Sequence, residues 1–341
     1  MTPVFEQHIE HFAAWKSSDV MGKKTFLREL TAEQLAGFDA LLATTRHLAP
    51  HDVTRKDFDQ PEVNHLGMEL KREIMDGRGM VILTGITREK YSDLQMERIY
   101  FGLGTHLGVA AEQSAEGDKL GYVREEEADP VSRGYRSSSE LHMHTDSYEM
   151  VGLMCLQKAV SGGFSGMVST LAIHNEILRT RPELLLPLYR GFHYAIPEVR
   201  SSAKPITDGM IPVFCNVDGK VSCNYASSFM RNAAEQMKVP LPEGLGEGLD
   251  YFDEIASRDD FALRFMLEPG EIMLWHNFLY LHSRTEFKNS STQKRLLLRL
   301  WMDVPDGRPV DPAVHERAAA YKRSYAQRKA EKNKTKTKEL Q

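Results

Sequence analysis

Apolar residues recur at helical spacing in the first quarter of the chain, then in short runs split by turns from Leu141 onward. Residues 1–78 therefore read mostly as helices. Thr31-Ala-Glu-Gln-Leu-Ala-Gly-Phe-Asp-Ala-Leu-Leu opens on a capping residue, has an acid in its first turn and repeats apolar side chains on one face. A second helix is expected from Pro61 to Met75, stopped by Asp76-Gly77. Gly79-Met-Val-Ile-Leu-Thr-Gly85 is a short apolar run closed by glycines, the mark of a buried strand. Helical periodicity returns near residues 91–107, and a loop rich in Gly, Glu and Ser runs on through Ser139.

In the second half, the runs at 151–160 and 167–170 predict strands, with Gly162-Gly163 turning between them and a helix from about Leu171 to Arg179. Two apolar stretches flank Val217-Asp218-Gly219, and Asp-Gly at that place predicts a hairpin. Residues 240–248 read as loop, 249–266 as helix, 271–275 as strand and 295–302 as a last strand. Many short strands with Gly and Pro turns, preceded by helices, predict a mainly β chain with flanking helices (α+β), a jelly-roll-like barrel or sandwich. No repeat or break in composition interrupts it, so residues 1–320 are expected to form a single domain. From Tyr321 the chain is rich in lysine and poor in large apolar residues, which predicts a solvated tail, disordered or helical, over 321–341.

Composition narrows this picture. The 341 residues are 41% hydrophobic and 27% charged, enough apolar mass for a core. A net charge of −5 argues against a general nucleic-acid binder. The three cysteines, Cys155, Cys215 and Cys223, form no CxxC pair and suit a reducing compartment better than a disulfide framework. Cys215 and Cys223, near each other across the Asp218-Gly219 turn, are expected as two buried thiols. The N-terminus lacks a basic patch followed by an apolar core, and no apolar run approaches the roughly 20 residues that span a bilayer. The expected compartment is the cytoplasm, with no membrane partner.

Chemistry concentrates in two stretches. Glu140-Leu-His-Met-His-Thr-Asp146 offers His144 and Asp146 two residues apart, on one face if the strand is extended. Leu274-Trp-His-Asn-Phe-Leu-Tyr-Leu-His-Ser-Arg284 offers His282. Two histidines and a carboxylate on one face of a metal make the facial triad of non-haem Fe(II) oxygenases. The first pair alone is weak evidence, because with 13 histidines a His-x-Asp triplet is expected about once by chance. In Arg295-Leu-Leu-Leu-Arg-Leu-Trp-Met302, period two puts Arg295, Leu297 and Arg299 on one face and three leucines on the other. Two guanidinium groups on an inward face require a wet or ligand-filled cavity, or else acids paired with them on a sheet surface.

Several of these segments, in this order, resemble the taurine dioxygenase-like (TauD/TfdA) family of Fe(II)- and 2-oxoglutarate-dependent oxygenases, from about Gly79 to Asp306. Gly79–Gly85 is similar to its early strand and Leu103-Gly-Thr-His-Leu-Gly108 to the segment after it. His144-Thr-Asp146 resembles its first two metal ligands, and His282-Ser-Arg-Thr-Glu-Phe287 the segment with the third. Ser161-Gly-Gly-Phe-Ser165 resembles the turn whose hydroxyl contacts 2-oxoglutarate. Arg295, 13 residues past His282, sits close to the spacing of the arginine that pairs with the co-substrate. The resemblance implies a double-stranded β-helix (jelly-roll, clavaminate synthase-like) core. It also implies Fe(II), 2-oxoglutarate and O2 as reactants, a small-molecule substrate, hydroxylation with release of succinate and CO2, and room for a homo-oligomer.

Asp146 argues against halogenation, because the family's halogenases carry a small residue there. Arg299 matches the place where some relatives hold an anionic substrate group, although a cavity-lining salt bridge suits it equally. His142 is a candidate pocket residue, and Tyr122, Arg136 and Tyr225 are candidates for the substrate side by position. The chain has Trp275-His276-Asn277 where relatives often carry an acid or asparagine after the tryptophan, so His276 is a rival third ligand or a structural residue. Two alternatives remain at this level. One is a catabolic dioxygenase that cleaves a sulfonate, phosphonate or aryloxy acid. The other is a non-redox metal barrel, such as a zinc isomerase or a small-molecule sensor.

Overall fold

A computed structural model describes residues 2–114, 116–126, 137–196 and 206–339. The helices of the first hundred residues form where capping and periodicity coincide. α1 (Ala32–Thr44) starts on Thr31, whose hydroxyl accepts from the Gln34 N–H while the Gln34 side chain reaches back to the Thr31 N–H. α2 (Pro61–Met75) begins at a proline whose missing N–H costs nothing at that position, and α3 (Asp93–Gly104) repeats the box with Ser92 and Gln95.

Two sheets face each other as a jelly roll. The larger is ordered β1 (Leu27–Glu29), β2 (Met80–Thr84), β12 (Ile272–His276), β6 (Met150–Gln157), β15 (Leu296–Asp303), β3 (Val109–Ala110), with β4 (Gly121–Val123) also on β15. The smaller is ordered β11 (Leu263–Phe265), β8 (Ser165–Ser169), β13 (Tyr280–Arg284), β5 (Leu141–His144). Two short ladders complete the set: β7 (Ser161–Gly162) with β14 (Phe287–Lys288), and β9 (Phe214–Val217) with β10 (Lys220–Cys223). In the latter, Asp218 and Gly219 both adopt positive φ, as a two-residue hairpin turn of this type requires.

Both faces of the larger sheet are covered, which is why its strands are apolar without interruption. In β2, Ile82 points into the core between the sheets, and Val81 and Leu83 point to α1–α3. In β15, Leu297 and Trp301 face inward while Leu298, Leu300 and Met302 face the helices. The remaining helices, α4 (Thr170–Thr180), α5 (Leu185–Arg190), α6 (Ser227–Met237) and α7 (Leu245–Ser257), flank the smaller sheet's side of the inner core. No helix of the described residues is long and apolar enough to cross a membrane.

Four expectations change. Residues 1–78 include β1, which pairs parallel to β2. The loop after α3 contains β3 and β4. The helix expected over 249–266 begins at Leu245, ends at Ser257, and gives way to β11. Finally, α8 (Glu316–Glu339) runs through the expected boundary at 320: Tyr321, Ser324 and Tyr325 are buried, so the basic segment begins as a docked helix. Cys215 and Cys223 are free and buried, one step out of register because Cys215 faces Ser222.

His174 on α4 is fully buried, with its Nε2 3.0 Å from the Tyr189 hydroxyl. Burial pulls its pKa down to about 4 from the usual 6.5. The unfolded chain takes up this proton first, so stability is fully present above pH 6.5 and is lost as the pH falls toward 4. From pH 7 to pH 5 His174 should cost the fold about 2 kcal/mol. Urea unfolding at both pH values should show this loss in the wild type and not in His174→Gln. Equal losses would refute the assignment.

Candidate metal centre and its cavity

The antiparallel pairing of β5 with β13 sets His144 directly opposite His282. Their rings are 4.3 Å apart between centroids. The Asp146 carboxylate approaches the His282 Nε2 to 3.5 Å, and one ligating atom from each of the three residues lies within 4.8 Å of the others. Asp146 reaches the cluster from the turn after β5, which ends at His144, and the His144–Asp146 pair expected from spacing does converge.

That turn is clamped. The Asn277 side chain accepts from the Asp146 N–H (2.9 Å) and donates to the carbonyls of Asp146 (3.0 Å) and Tyr148 (2.8 Å). The Trp301 indole N–H donates to Asp146 Oδ2 at 2.7 Å. His144 donates its Nδ1–H to the His142 carbonyl at 2.7 Å, which fixes the tautomer and leaves Nε2 as a lone-pair donor.

Electrostatics prepares the same state. Burial, followed by the neighbouring His282, pulls the His144 pKa down to about 3, so the ring is neutral at pH 7. Burial opposes the Asp146 charge, but Arg299 and the two histidines outweigh it and hold the carboxyl well below the usual range. Two imidazole rings and an ionised carboxylate form a donor set that suits a divalent transition metal.

Arg295, the residue just before β15, is 4% exposed, with Nη1 unbonded and no acid within ion-pair distance among the described residues. Burial and the neighbouring Arg284 pull its pKa down to about 9, and it remains cationic at neutral pH. Arg284 is also buried; it donates to the Ser137 and Ser139 carbonyls, and burial lowers its pKa to about 10. The two guanidiniums flank the Phe287 ring at 4.7 and 5.2 Å. Gly163, at positive φ, leaves Arg295 its space: a Cβ there would sit 3.2 Å from Nε. Two buried cations without a counter-charge among the described residues call for an anion, and a dicarboxylate fits that need. Ser165 is buried at the start of β8, two residues beyond Gly163.

A cavity of about 730 Å³ opens over the cluster, with His142, Arg299, Trp301 and Tyr321 in its wall. Arg299 Nε donates to Gln113 Oε1 at 2.8 Å. Two substrate-side candidates lie elsewhere. Tyr122 bonds Glu97, and burial followed by that acid raises its pKa to about 12. Tyr225 is fully buried, stacked 3.9 Å from Phe252, and donates to Asp253, which does line the cavity. Arg136 lies outside the described residues. His276 is buried 3.4 Å from Glu149 and belongs to the framework, not to the cluster.

Sequence reasoning missed Asn277, Trp301 and Arg317. Trp301 was legible, because it continues the inward face of Arg295, Leu297 and Arg299. Asn277 and Arg317 left no local signal.

A profile of the taurine catabolism dioxygenase TauD, TfdA family matches residues 44–301. The FR-33289 synthase of Streptomyces rubellomurinus is 30% identical over 283 residues, 77% of this chain and 81% of that one. The taurine hydroxylase-like protein SAT17 of Stachybotrys chartarum is 28% identical over 314 residues, 85% and 78%. Among solved structures, an asparagine oxygenase with Fe(II), 3-hydroxyasparagine and succinate superposes with a TM-score of 0.64 at 14% identity, covering 81% of this chain and 93% of its own. The non-heme iron oxygenase OrfP with Fe and alpha-ketoglutaric acid gives 0.57 at 14% identity, covering 82% and 94%. These two share the fold. With its profile match and its cluster together, the chain belongs to the TauD/TfdA family and is an iron(II)- and 2-oxoglutarate-dependent oxygenase.

Proposed function

We propose that this protein hydroxylates a small organic molecule, with His144, Asp146 and His282 as iron ligands and Arg295 and Ser165 as the co-substrate's partners. The convergence of the three donors under an open cavity carries the reading. Iron(II) and 2-oxoglutarate bound there supply, with O2, an oxygen atom to a substrate C–H bond, while the keto acid leaves as succinate and CO2.

The chain's own groups prepare that chemistry. His144 and His282 offer ring nitrogens from paired strands, and Asp146 brings the negative charge. Trp301 engages Asp146 Oδ2 and so fixes the orientation of the carboxylate. Arg295 would hold the distal carboxylate of 2-oxoglutarate with a charge-assisted pair, and the Ser165 hydroxyl would add a hydrogen bond. The hydroxyasparagine held by one solved neighbour supports a small polar substrate. The free, buried thiols agree with the cytoplasm as its compartment.

Anaerobic addition of Fe(II) and then 2-oxoglutarate should raise the weak visible charge-transfer band of an iron-bound keto acid, followed in air by succinate release. Iron-loaded, folded protein without that band would sink the reading. Trp301→Phe should keep the fold and weaken metal affinity about 10- to 100-fold, as loss of an outer partner does. Metal titration followed by Co(II) absorption measures it, and unchanged affinity would show that the indole only packs.

A further inference from the structure

α8 enters the cavity wall with its second residue. Arg317 is 4% exposed, and its Nη1 donates to the Thr145 carbonyl at 2.6 Å, between the two proposed ligands His144 and Asp146. Its guanidinium lies against the Phe229 ring (5.0 Å) and near Tyr194 (5.8 Å). Its Nε has no acceptor, and no acid lies within ion-pair distance among the described residues. Of the acids nearby, Asp146 is governed by Arg299, and Asp253 accepts from Tyr225 and Ser227.

Local structure does not account for this charge. A cation in the first turn of a helix opposes the helix dipole. A neutral donor would satisfy the Thr145 carbonyl equally well, without burying a charge that lacks a counter-ion. A divalent metal nearby makes the uncompensated cation more costly, not less. Five donors in a planar fork, one of them used, suit a two-oxygen acceptor entering from the cavity.

We infer that Arg317 is a specificity-determining residue that receives an anionic group, a carboxylate or a tetrahedral oxyanion, on the substrate. This rests on the reaction proposed above and deepens it. The substrate then bridges two fixed points, its oxyanion on α8 and its reacting carbon over the metal. Because Thr145 belongs to the turn that carries Asp146, the anion is read by a group tied directly to the metal centre.

The test uses the full chain loaded with Co(II) and saturating 2-oxoglutarate, so that Arg295 is occupied. Acetate and methylphosphonate are titrated separately by calorimetry, one for each oxyanion shape. The wild type should bind at least one of them, Arg317→Gln should bind it tenfold or more weakly, and Arg317→Lys should recover part of the loss. Co(II) and 2-oxoglutarate binding should be unchanged in both variants. Equal anion affinity in the wild type and Arg317→Gln, or no binding of either anion by the loaded wild type, would overturn the inference.

Should Arg317→Gln fail to fold, wild-type crystals holding 2-oxoglutarate are soaked in selenate and bromoacetate. An anomalous peak within hydrogen-bond reach of Arg317 supports the assignment, and peaks only elsewhere overturn it. Failure of the wild type to bind Co(II) or 2-oxoglutarate would strike the reaction class itself. In that case the same soaks of metal-free crystals decide Arg317 on their own.

Discussion

Arg295→Met should lose affinity for 2-oxoglutarate by on the order of 100-fold or more while leaving the empty protein as stable as the wild type or slightly more so. Truncating one partner of a buried charge pair costs roughly 2–5 kcal/mol, and each 1.4 kcal/mol is about tenfold in binding. The opposite sign in the unliganded state follows from the same geometry. Arg295 is buried beside a second guanidinium with no acid within ion-pair distance among the described residues, so an apolar side chain of similar length removes a burden when no co-substrate is present. Calorimetric titration of 2-oxoglutarate into Co(II)-loaded protein reads the first effect, and thermal unfolding without ligand the second. A variant that binds 2-oxoglutarate normally would remove Arg295 from the co-substrate site. A variant strongly destabilised without ligand would make it a structural residue.

Asp146→Asn should be the most damaging change of this size in the molecule. The amide keeps the volume and, through its oxygen, the bond from Trp301, and the backbone clamp by Asn277 does not involve the side chain. What disappears is the only anionic charge of the three proposed ligands. Metal affinity should fall on the order of a thousandfold, beyond the 10- to 100-fold expected for an outer partner. Succinate formation should drop to background at micromolar iron. Co(II) absorption compared across wild type, Trp301→Phe and Asp146→Asn should rank their affinities in that order, tightest first. If Asp146→Asn bound Co(II) like the wild type, the carboxylate would not be a ligand.

Legibility in the sequence followed the range of the interactions. α2 was readable to both ends because its signals are local: a proline that opens it, one apolar stripe, and Asp76-Gly77 after it. The hairpin at Asp218-Gly219 was equally local. The segment 249–266 misled because apolar residues at 261 and 265 extend a helical stripe, while 261, 263 and 265 together fit the alternation of a strand. The buried–exposed–buried pattern of Leu263-Arg264-Phe265 shows that the second reading wins once β8 is there to pair with. Tyr122 and Tyr225 could not be assigned from position, since one residue of register separates a cavity wall from a helix-facing surface. Arg317 was hidden for a different reason. It lies 171 positions beyond Asp146 in the chain, and only packing of α8 against the Thr145 turn joins them.

β15 carries two messages on alternate residues. Its odd positions present Arg299 and Trp301 to the cluster, and its even positions present Leu298, Leu300 and Met302 to the helical layer. Such a strand suffers more from a change of length than from a single substitution, because one inserted or deleted residue exchanges the tracks and drives a guanidinium into the leucine layer. The ladder with β6 absorbs its one irregularity at the near end, where the register shifts between Leu296 and Leu297 and the rest of the strand stays in phase. A change of length should therefore be borne by the approach at residues 289–294 and not by the strand, whose reading frame is as much a part of the catalyst as the residues in it.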